Sequence, residues 1–184
     1  MVEITYQMVL STLQTLSLVV GVIYYIMTLQ NTRKNQQLTL ETRQAQLLMQ
    51  IYQELISEAN LKTWRETMSW DFDDFDDFER KYSDHDSFAK RYSIMRMFDG
   101  IGLLLRDGLL DADRVYDLID SAVLQHWRKH GPIVKETRAR YLFPDAEEGY
   151  EYLYDEMMRV RQERGITEDF NIEWAVDPVK QLNP

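Results

Sequence analysis

The sequence predicts an all-α fold, in which a single N-terminal transmembrane helix continues into a cytoplasmic helical bundle. Three observations predict this class. No charged residue occurs between Ile4 and Thr32. Beyond that stretch, apolar residues recur at the spacing of helix faces. No alternating run of strand length appears along the chain. The predicted organisation is an anchor, a juxtamembrane helix, a helical bundle domain and an irregular C-terminal tail, covering 1–32, 33–59, 60–165 and 166–184.

The membrane anchor is predicted from the length and the apolar character of the N-terminal stretch. Residues 8–29 are mostly apolar, and about 20 apolar residues suffice to cross a hydrocarbon core of roughly 30 Å. The start of the chain lacks the basic region of a cleavable signal, which predicts an uncleaved anchor. Arg33 and Lys34 follow the apolar stretch, so the positive-inside bias places the N-terminus outside and the main domain in the cytoplasm. The alternative, a helix lying flat on the membrane, needs a charged face that this stretch lacks.

A polar stripe runs along the anchor at heptad spacing. In lipid, small and hydrogen-bonding residues favour a neighbouring helix. This predicts association, in a homo-oligomer or a larger membrane complex, through Gln7, Ser11, Gln14, Gly21, Tyr25 and Thr28. The alternative is that Ser and Thr bond their own preceding carbonyls while the glutamines sit near the bilayer edge.

The composition limits partners and chemistry. All 21 basic residues, and every acidic residue except Glu3, lie at or after Arg33, and the chain carries a net charge of −10. A surface this acidic disfavours nucleic acid, so the lipid bilayer and proteins are the expected partners. The absence of cysteine excludes disulfides and thiolate chemistry. No cofactor is predicted.

The helices after the anchor are predicted from apolar faces and end signals. The first stretch, 36–58, has an apolar face of Leu38, Ala45, Leu48, Tyr52 and Leu55, so the anchor is expected to continue through it as one helix. A short helix follows over 60–68. The next covers 87–106 and ends at Gly108, with a face of Phe88, Tyr92, Met95, Phe98, Gly102 and Leu105.

Three further helices complete the prediction. Asp111 is expected to cap a helix that closes at Gly131, and Pro132 to begin a shorter one through Tyr141. Asp145 and Glu148 resemble a capping box that opens a last helix, ending at Gly165. Gly100 and Gly102 follow no strand, which indicates close helix packing rather than a phosphate loop.

Five blocks of the chain stand out in order: ETRQAQLLMQIYQEL (41–55), WDFDDFDDFERKY (70–82), FDGIGLLLRDGLLDADRVYDLI (98–119), HWRKHGPIVKETRARY (126–141) and EEGYEYLYDEM (147–157). Together they resemble a family of prokaryotic membrane-anchored proteins whose common domain is of unknown function. The resemblance implies a helical domain behind one anchor, and it carries no activity, cofactor or catalytic residue to transfer.

An acidic-aromatic segment is the most unusual local run: Trp70, Asp71, Phe72, Asp73, Asp74, Phe75, Asp76, Asp77 and Phe78. Its phenylalanines recur at every third residue and therefore share a face of a helical turn. Three interpretations stay open. The aromatic face docks on the bundle while the carboxylates are solvated, or the segment docks a protein partner, or it binds a hard cation such as calcium.

A basic counter-patch could neutralise this segment, within the chain or between subunits. Its members are Arg128, Lys129, Lys135, Arg138 and Arg140. His126 and His130 share a helix face at the spacing of zinc ligands, but two cations lie between them. They are read as helix-dipole partners near a C-terminus. The weak metal candidates are His85, Asp86, His126 and His130.

No catalytic signature occurs in the chain, and an enzyme is not the expected class. The predicted function is a single-pass membrane-anchored scaffold or accessory subunit that acts through self-association and protein docking. The alternative is a metal-dependent hydrolase or divalent-ion sensor that uses the acidic-aromatic segment and His85.

Overall fold

The computed structural model describes residues 5–166, and these residues form six α-helices and no strand. The helices are α1 (Tyr6–Leu55), α2 (Glu58–Ser69), α3 (Phe75–Tyr82), α4 (His85–Arg106), α5 (Ala112–Tyr141) and α6 (Glu148–Glu163). The predicted all-α class is confirmed. The irregular tail predicted for 166–184 lies outside the described residues, except for Ile166.

The chain divides into two compact units, one ending at Ala45 and the other beginning at Gln46. Helix α1 contributes residues to both. In the first unit, the side chains from Tyr6 to Arg43 are exposed. The most apolar window of 18 residues has a mean hydropathy of 1.8, and none of it is buried. This helix is long and apolar enough to cross a membrane.

The second unit is built around α4, which packs against α6 and α2, while α5 also packs against α6. Leu48, near the C-terminal end of α1, belongs to its core. The completely buried centre combines large side chains of α4, α5 and α6, among them Phe98, Val123, Tyr150, Leu153 and Met157. Burying such side chains gains about 1.5–3 kcal/mol each, which makes this contact the main source of stability.

Local chemistry sets most helix ends as predicted. The Asp111 carboxylate accepts a hydrogen bond from the Arg114 N–H at 3.0 Å, and so caps α5. Gly108 (φ +71°) and Gly165 (φ +69°) follow the ends of α4 and α6 in the left-handed conformation that glycine adopts without strain.

The predicted break at Gly131–Pro132 is wrong, because α5 continues to Tyr141. A proline inside a helix removes one backbone hydrogen bond. The burial of Ile133 and Val134 just beyond it offsets that loss. Gly131 serves packing instead, since a Cβ there would lie 2.9 Å from Cε2 of Trp127.

The predicted capping box at the start of α6 is also wrong. The N-cap residue is Glu147, which has φ +55° and makes no side-chain capping hydrogen bond. A carboxylate from another helix replaces it: Asp99 Oδ1 of α4 accepts from the Tyr150 N–H at 3.2 Å. The cap is therefore a tertiary contact, which no local pattern encodes.

Two residues of the predicted inner face of α4 lie outside the core. Phe88 is 47% exposed and Tyr92 is 49% exposed, whereas Met95, Phe98 and Leu105 are buried as expected. The rings of Phe88 and Tyr92 stack on each other, with centroids 5.5 Å apart. The N-terminal half of α4 thus presents an aromatic surface.

Candidate functional site

A cavity of about 250 Å³ opens beside this aromatic surface. Helix α4, helix α5 and the segment that joins α5 to α6 form its walls. Its apolar lining includes Phe88, Tyr92, Met95, Ile133 and Phe143, and its charged lining is Arg91, Arg96 and Glu147. An apolar cavity with a few converging polar groups is the usual form of a small-molecule site.

Arg91 projects from α4 between two phenylalanine rings. Its guanidinium carbon lies 5.1 Å from the ring centroid of Phe78 and 5.4 Å from that of Phe88. Burial lowers the pKa of Arg91. The pKa of an arginine lies so far above pH 7 that the side chain keeps its positive charge. No carboxylate of residues 5–166 lies within 4.0 Å of its nitrogens, and its side chain makes no hydrogen bond within that range. Among residues 5–166, Arg91 therefore faces the cavity as a cation without an ion-pair partner.

Glu147 enters the same cavity from the start of α6. Its side chain is 13% exposed, and its Oε2 atom is buried without a hydrogen-bond partner among the described residues. The nearest cation is Arg96, whose Nη1 lies 3.9 Å from Oε2. Burial and the neighbouring Asp99 charge raise the pKa of Glu147. Its positive φ is strained for a residue other than glycine, and such strain often occurs at functional sites.

Asp99 and two glycines join α4 to the start of α6, next to the cavity residues Arg96 and Glu147. Asp99 is 5% exposed, and its Oδ2 accepts a hydrogen bond from Arg96 Nη1 at 2.9 Å. Gly102 of α4 lies directly against Gly149 of α6, as close packing at Gly102 predicts. Gly100 plays no such part, since a Cβ there would meet nothing within 4 Å.

The two histidines of α5 are buried neighbours inside the domain. Their rings stack with centroids 4.2 Å apart, and His126 Nδ1 shares a hydrogen bond of 2.7 Å with the Tyr150 hydroxyl. Burial lowers the pKa of His130 to about 3 and that of His126 well below its usual value. Both rings are therefore neutral near pH 7. They lie in the middle of the continuous α5, so the prediction of dipole partners at a helix end is wrong.

The weak metal candidates are not gathered into one site. His85 and Asp86 are exposed at the start of α4, where Asp86 Oδ2 pairs with Lys90 Nζ at 2.6 Å. Across residues 5–166, no group of three or more His, Cys, Asp or Glu residues is placed to hold a metal ion. The alternative of a metal-dependent hydrolase or ion sensor gains no support from this geometry.

The acidic-aromatic segment folds back on its own domain. Trp70, Phe75 and Phe78 are buried with Ile133 in a small second core. Trp70 stacks on Tyr82 with ring centroids 4.4 Å apart, which closes the turn before α3. These buried rings cannot contact a partner in this conformation. The exposed part of the segment is its carboxylates, Asp71, Asp73, Asp74 and Asp76.

The residues of the basic counter-patch contact several different partners. Arg140 pairs with Asp76 of the acidic-aromatic segment, and its guanidinium also lies 4.6 Å from the ring centroid of Phe75. Lys129 donates to the backbone carbonyls of Met68 and Trp70. Lys135 and Arg138 instead pair with Glu151 of α6. Among these contacts, the side-chain ion pair between the counter-patch and the acidic-aromatic segment is that of Arg140 with Asp76.

The polar stripe of the anchor is exposed along its whole length. Ser11 Oγ donates to the Met8 carbonyl at 3.2 Å, and Thr28 Oγ1 donates to the Tyr24 carbonyl at 2.9 Å. These bonds satisfy the hydroxyl donors, as the alternative reading of the stripe supposed. A Cβ on Gly21 would meet nothing within 4 Å, so that position stays open to a second helix.

Sequence reasoning did not single out Arg91, Asp99 or Glu147. A signal existed for Arg91, which lies three residues after Phe88 and four before Met95, and so shares their helix face. A charged residue within an apolar helix face marks a site worth testing. Nothing local marks Glu147, whose burial depends on how α6 meets α4.

A family model matches residues 12–157 and is described as a domain of unknown function, DUF4760. The match spans the greater part of the chain and includes the cavity and the histidine pair. No curated protein and no solved structure matches the chain.

Proposed function

The chain belongs to the DUF4760 family, and we propose that it is a single-pass membrane-anchored scaffold or accessory subunit. In this proposal the anchor associates with other helices in the membrane. The helical domain lies in the cytoplasm, where it docks protein partners or sister subunits.

The observation that carries the proposal is the complete exposure of the apolar window in α1. Burying apolar surface gains about 25 cal/mol per Å², so an exposed apolar helix of this length is stabilised by lipid or by another protein. A core helix of a soluble domain would have its apolar face buried by its own chain. The basic pair Arg33 and Lys34 then favours a cytoplasmic domain.

Self-association is assigned to the polar stripe. Gln7 and Gln14 carry amides that form interhelical hydrogen bonds in lipid, each worth about 0.6–2 kcal/mol. Gly21 allows two backbones to approach closely. Docking is assigned to the exposed carboxylates of the acidic-aromatic segment. Several of these negative charges can contact a positively charged surface of a partner at the same time.

The deciding experiment is native mass spectrometry of the full-length protein, extracted from its own membranes in mild detergent. A defined homo-oligomer or a stoichiometric foreign subunit is the expected result. Gln7→Leu combined with Gln14→Leu is expected to weaken a homo-oligomer. The matched control is Gln30→Leu, which makes the same change within the anchor but off the heptad stripe. A protein that is monomeric and without companions at native abundance contradicts the proposal.

A further inference from the structure

The cavity beside α4 holds two charged groups of opposite sign, and neither has a hydrogen-bonded ion pair among residues 5–166. Arg91 contributes a guanidinium without an ion-pair partner within residues 5–166, and Glu147 contributes a buried oxygen without a hydrogen-bond donor. Their charges influence each other's pKa, although the two groups form no direct ion pair. Leaving buried polar groups unpaired costs free energy, and a ligand that satisfied both would recover it.

The apolar walls of the cavity indicate the size and the apolar character of a complementary ligand. Phe88, Tyr92 and Phe143 present aromatic surface, and Met95 and Ile133 close the apolar floor. The volume of about 250 Å³ accommodates a small molecule rather than a folded segment. The complementary molecule is therefore small, has an apolar body and carries one negative and one positive group.

We propose that this cavity binds a small zwitterion with an apolar side chain, which is chemically an apolar α-amino acid. Its carboxylate pairs with Arg91, whose planar guanidinium suits bidentate contact with a carboxylate. Its ammonium group donates to Oε2 of Glu147. Its side chain lies against Phe88, Tyr92 and Phe143.

Ligands with a single charge fit the cavity less well. A simple carboxylate would pair with Arg91 but leave the buried Glu147 oxygen without a donor. A simple amine would pair with Glu147 but would leave the Arg91 guanidinium without a carboxylate. Each mismatch leaves either the Arg91 guanidinium or the buried Glu147 oxygen without a hydrogen-bonded contact, and sites of this kind discriminate strongly against such analogues.

This inference goes beyond the proposed scaffold function, since it adds a ligand to the cytoplasmic domain. The cavity joins α4, α5 and the segment before α6, so a bound ligand would bridge these elements. Binding to the native state stabilises it by mass action. The domain would then respond to the concentration of an amino acid.

The test is isothermal titration calorimetry on the full-length protein in mild detergent, with three matched ligands. L-phenylalanine carries both charges, 3-phenylpropionate lacks the ammonium group, and phenethylamine lacks the carboxylate. L-phenylalanine is expected to bind at least about tenfold more tightly than either analogue, because each analogue loses one charge-assisted contact. Comparing ligands on the wild-type protein keeps the test independent of how any variant folds.

Variants then assign the contacts. Arg91→Gln and Glu147→Gln are each expected to weaken L-phenylalanine binding by at least about tenfold. Arg159→Gln is the control, since Arg159 pairs with Glu156 and Glu163 on the exposed face of α6. Circular dichroism establishes that each variant is folded before titration.

Three results would overturn the inference. The first is no detectable heat from L-phenylalanine up to millimolar concentrations. The second is equal affinity for L-phenylalanine and 3-phenylpropionate, which would make this a plain anion site. The third is unchanged binding in a folded Arg91→Gln protein. None of these results bears on oligomeric state, so the scaffold proposal stands or falls separately.

Discussion

Gly102 of α4 and Gly149 of α6 touch backbone to backbone. A Cβ on Gly102 would lie 1.7 Å from the Gly149 carbonyl oxygen, and one on Gly149 would lie 2.4 Å from the Asp99 carbonyl oxygen. Two glycines therefore allow α4 and α6 to approach closely at the start of α6. The same approach brings the Asp99 carboxylate to the Tyr150 N–H and places Glu147 at the cavity.

Gly102→Ala should destabilise the domain. The added methyl group would overlap backbone atoms, which cannot rotate away, so α4 and α6 would have to separate. Overpacking of this kind typically costs about 1–3 kcal/mol in the free energy of unfolding. Chemical denaturation followed by tryptophan fluorescence measures the change. Gly100→Ala is the matched control two residues away, where the methyl group meets nothing and the stability should hold or rise by about 0.5–1 kcal/mol.

Leu142→Gly should stabilise the domain despite removing a large apolar side chain. Leu142 ends α5 with φ +53° and is 85% exposed, so it bears left-handed strain and contributes little packing. Relief of that strain is worth about 1 kcal/mol, partly offset by the greater freedom of glycine in the unfolded chain. Thermal denaturation provides the measurement. Leu142→Ala keeps the Cβ and should show no gain; equal stabilisation by both variants would contradict the strain argument.

The stability of the domain should fall as the pH drops below about 6.5, because of His126 and His130. Both are buried and neutral, and the folded pKa of His130 is lowered to about 3. The unfolded chain, with ordinary histidine pKa values, therefore binds more protons below pH 6.5. Above that pH the two histidines do not reduce the free energy of unfolding. Below it, each histidine lowers that free energy by up to about 1.4 kcal/mol per pH unit, because the unfolded chain binds a proton that the folded chain does not.

Denaturation curves at several pH values between about 7 and 5 test this dependence. His130→Leu removes one titrating group and should make the slope of stability against pH shallower. His85→Gln is the control, because His85 is exposed at the start of α4 and should leave the slope unchanged. An identical slope in His130→Leu and the wild-type protein would show that His130 is not the source.

Local chemistry made much of the fold predictable. The caps at Asp111, Gly108 and Gly165 depend on side chains and backbone freedom within a few residues, and each was predicted. The all-α class and the apolar N-terminal helix follow from periodicity and charge alone. The prediction failed at Gly131–Pro132, where the burial of Ile133 and Val134 outweighs a helix-breaking pair.

The candidate site was largely hidden from the sequence. Arg91 and Glu147 are far apart along the chain, and the packing of α6 against α4, where Gly102 meets Gly149, brings them to one cavity. The burial of His126 likewise depends on the contact of α5 with Tyr150 of α6, and His130 lies against the rings of Trp70 and Phe72. Burial of a polar group is a tertiary property, so periodicity along one helix could not reveal it.

The proposed membrane anchor predicts that Val19→Arg lowers the fraction of the protein found in membranes. Val19 lies near the middle of the apolar window and off the polar stripe, so an arginine there would face lipid. A charge at the centre of a membrane helix costs about 2.5–3.5 kcal/mol on insertion scales, enough to lower the inserted fraction of a single marginal span. Membrane pellets washed at alkaline pH, followed by immunoblotting, give that fraction. Gln36→Arg is the matched control beyond the basic pair Arg33 and Lys34, where an added cation should leave insertion unchanged. If Val19→Arg stays in the pellet as fully as Gln36→Arg, the prediction that residue 19 faces lipid in a membrane span is wrong.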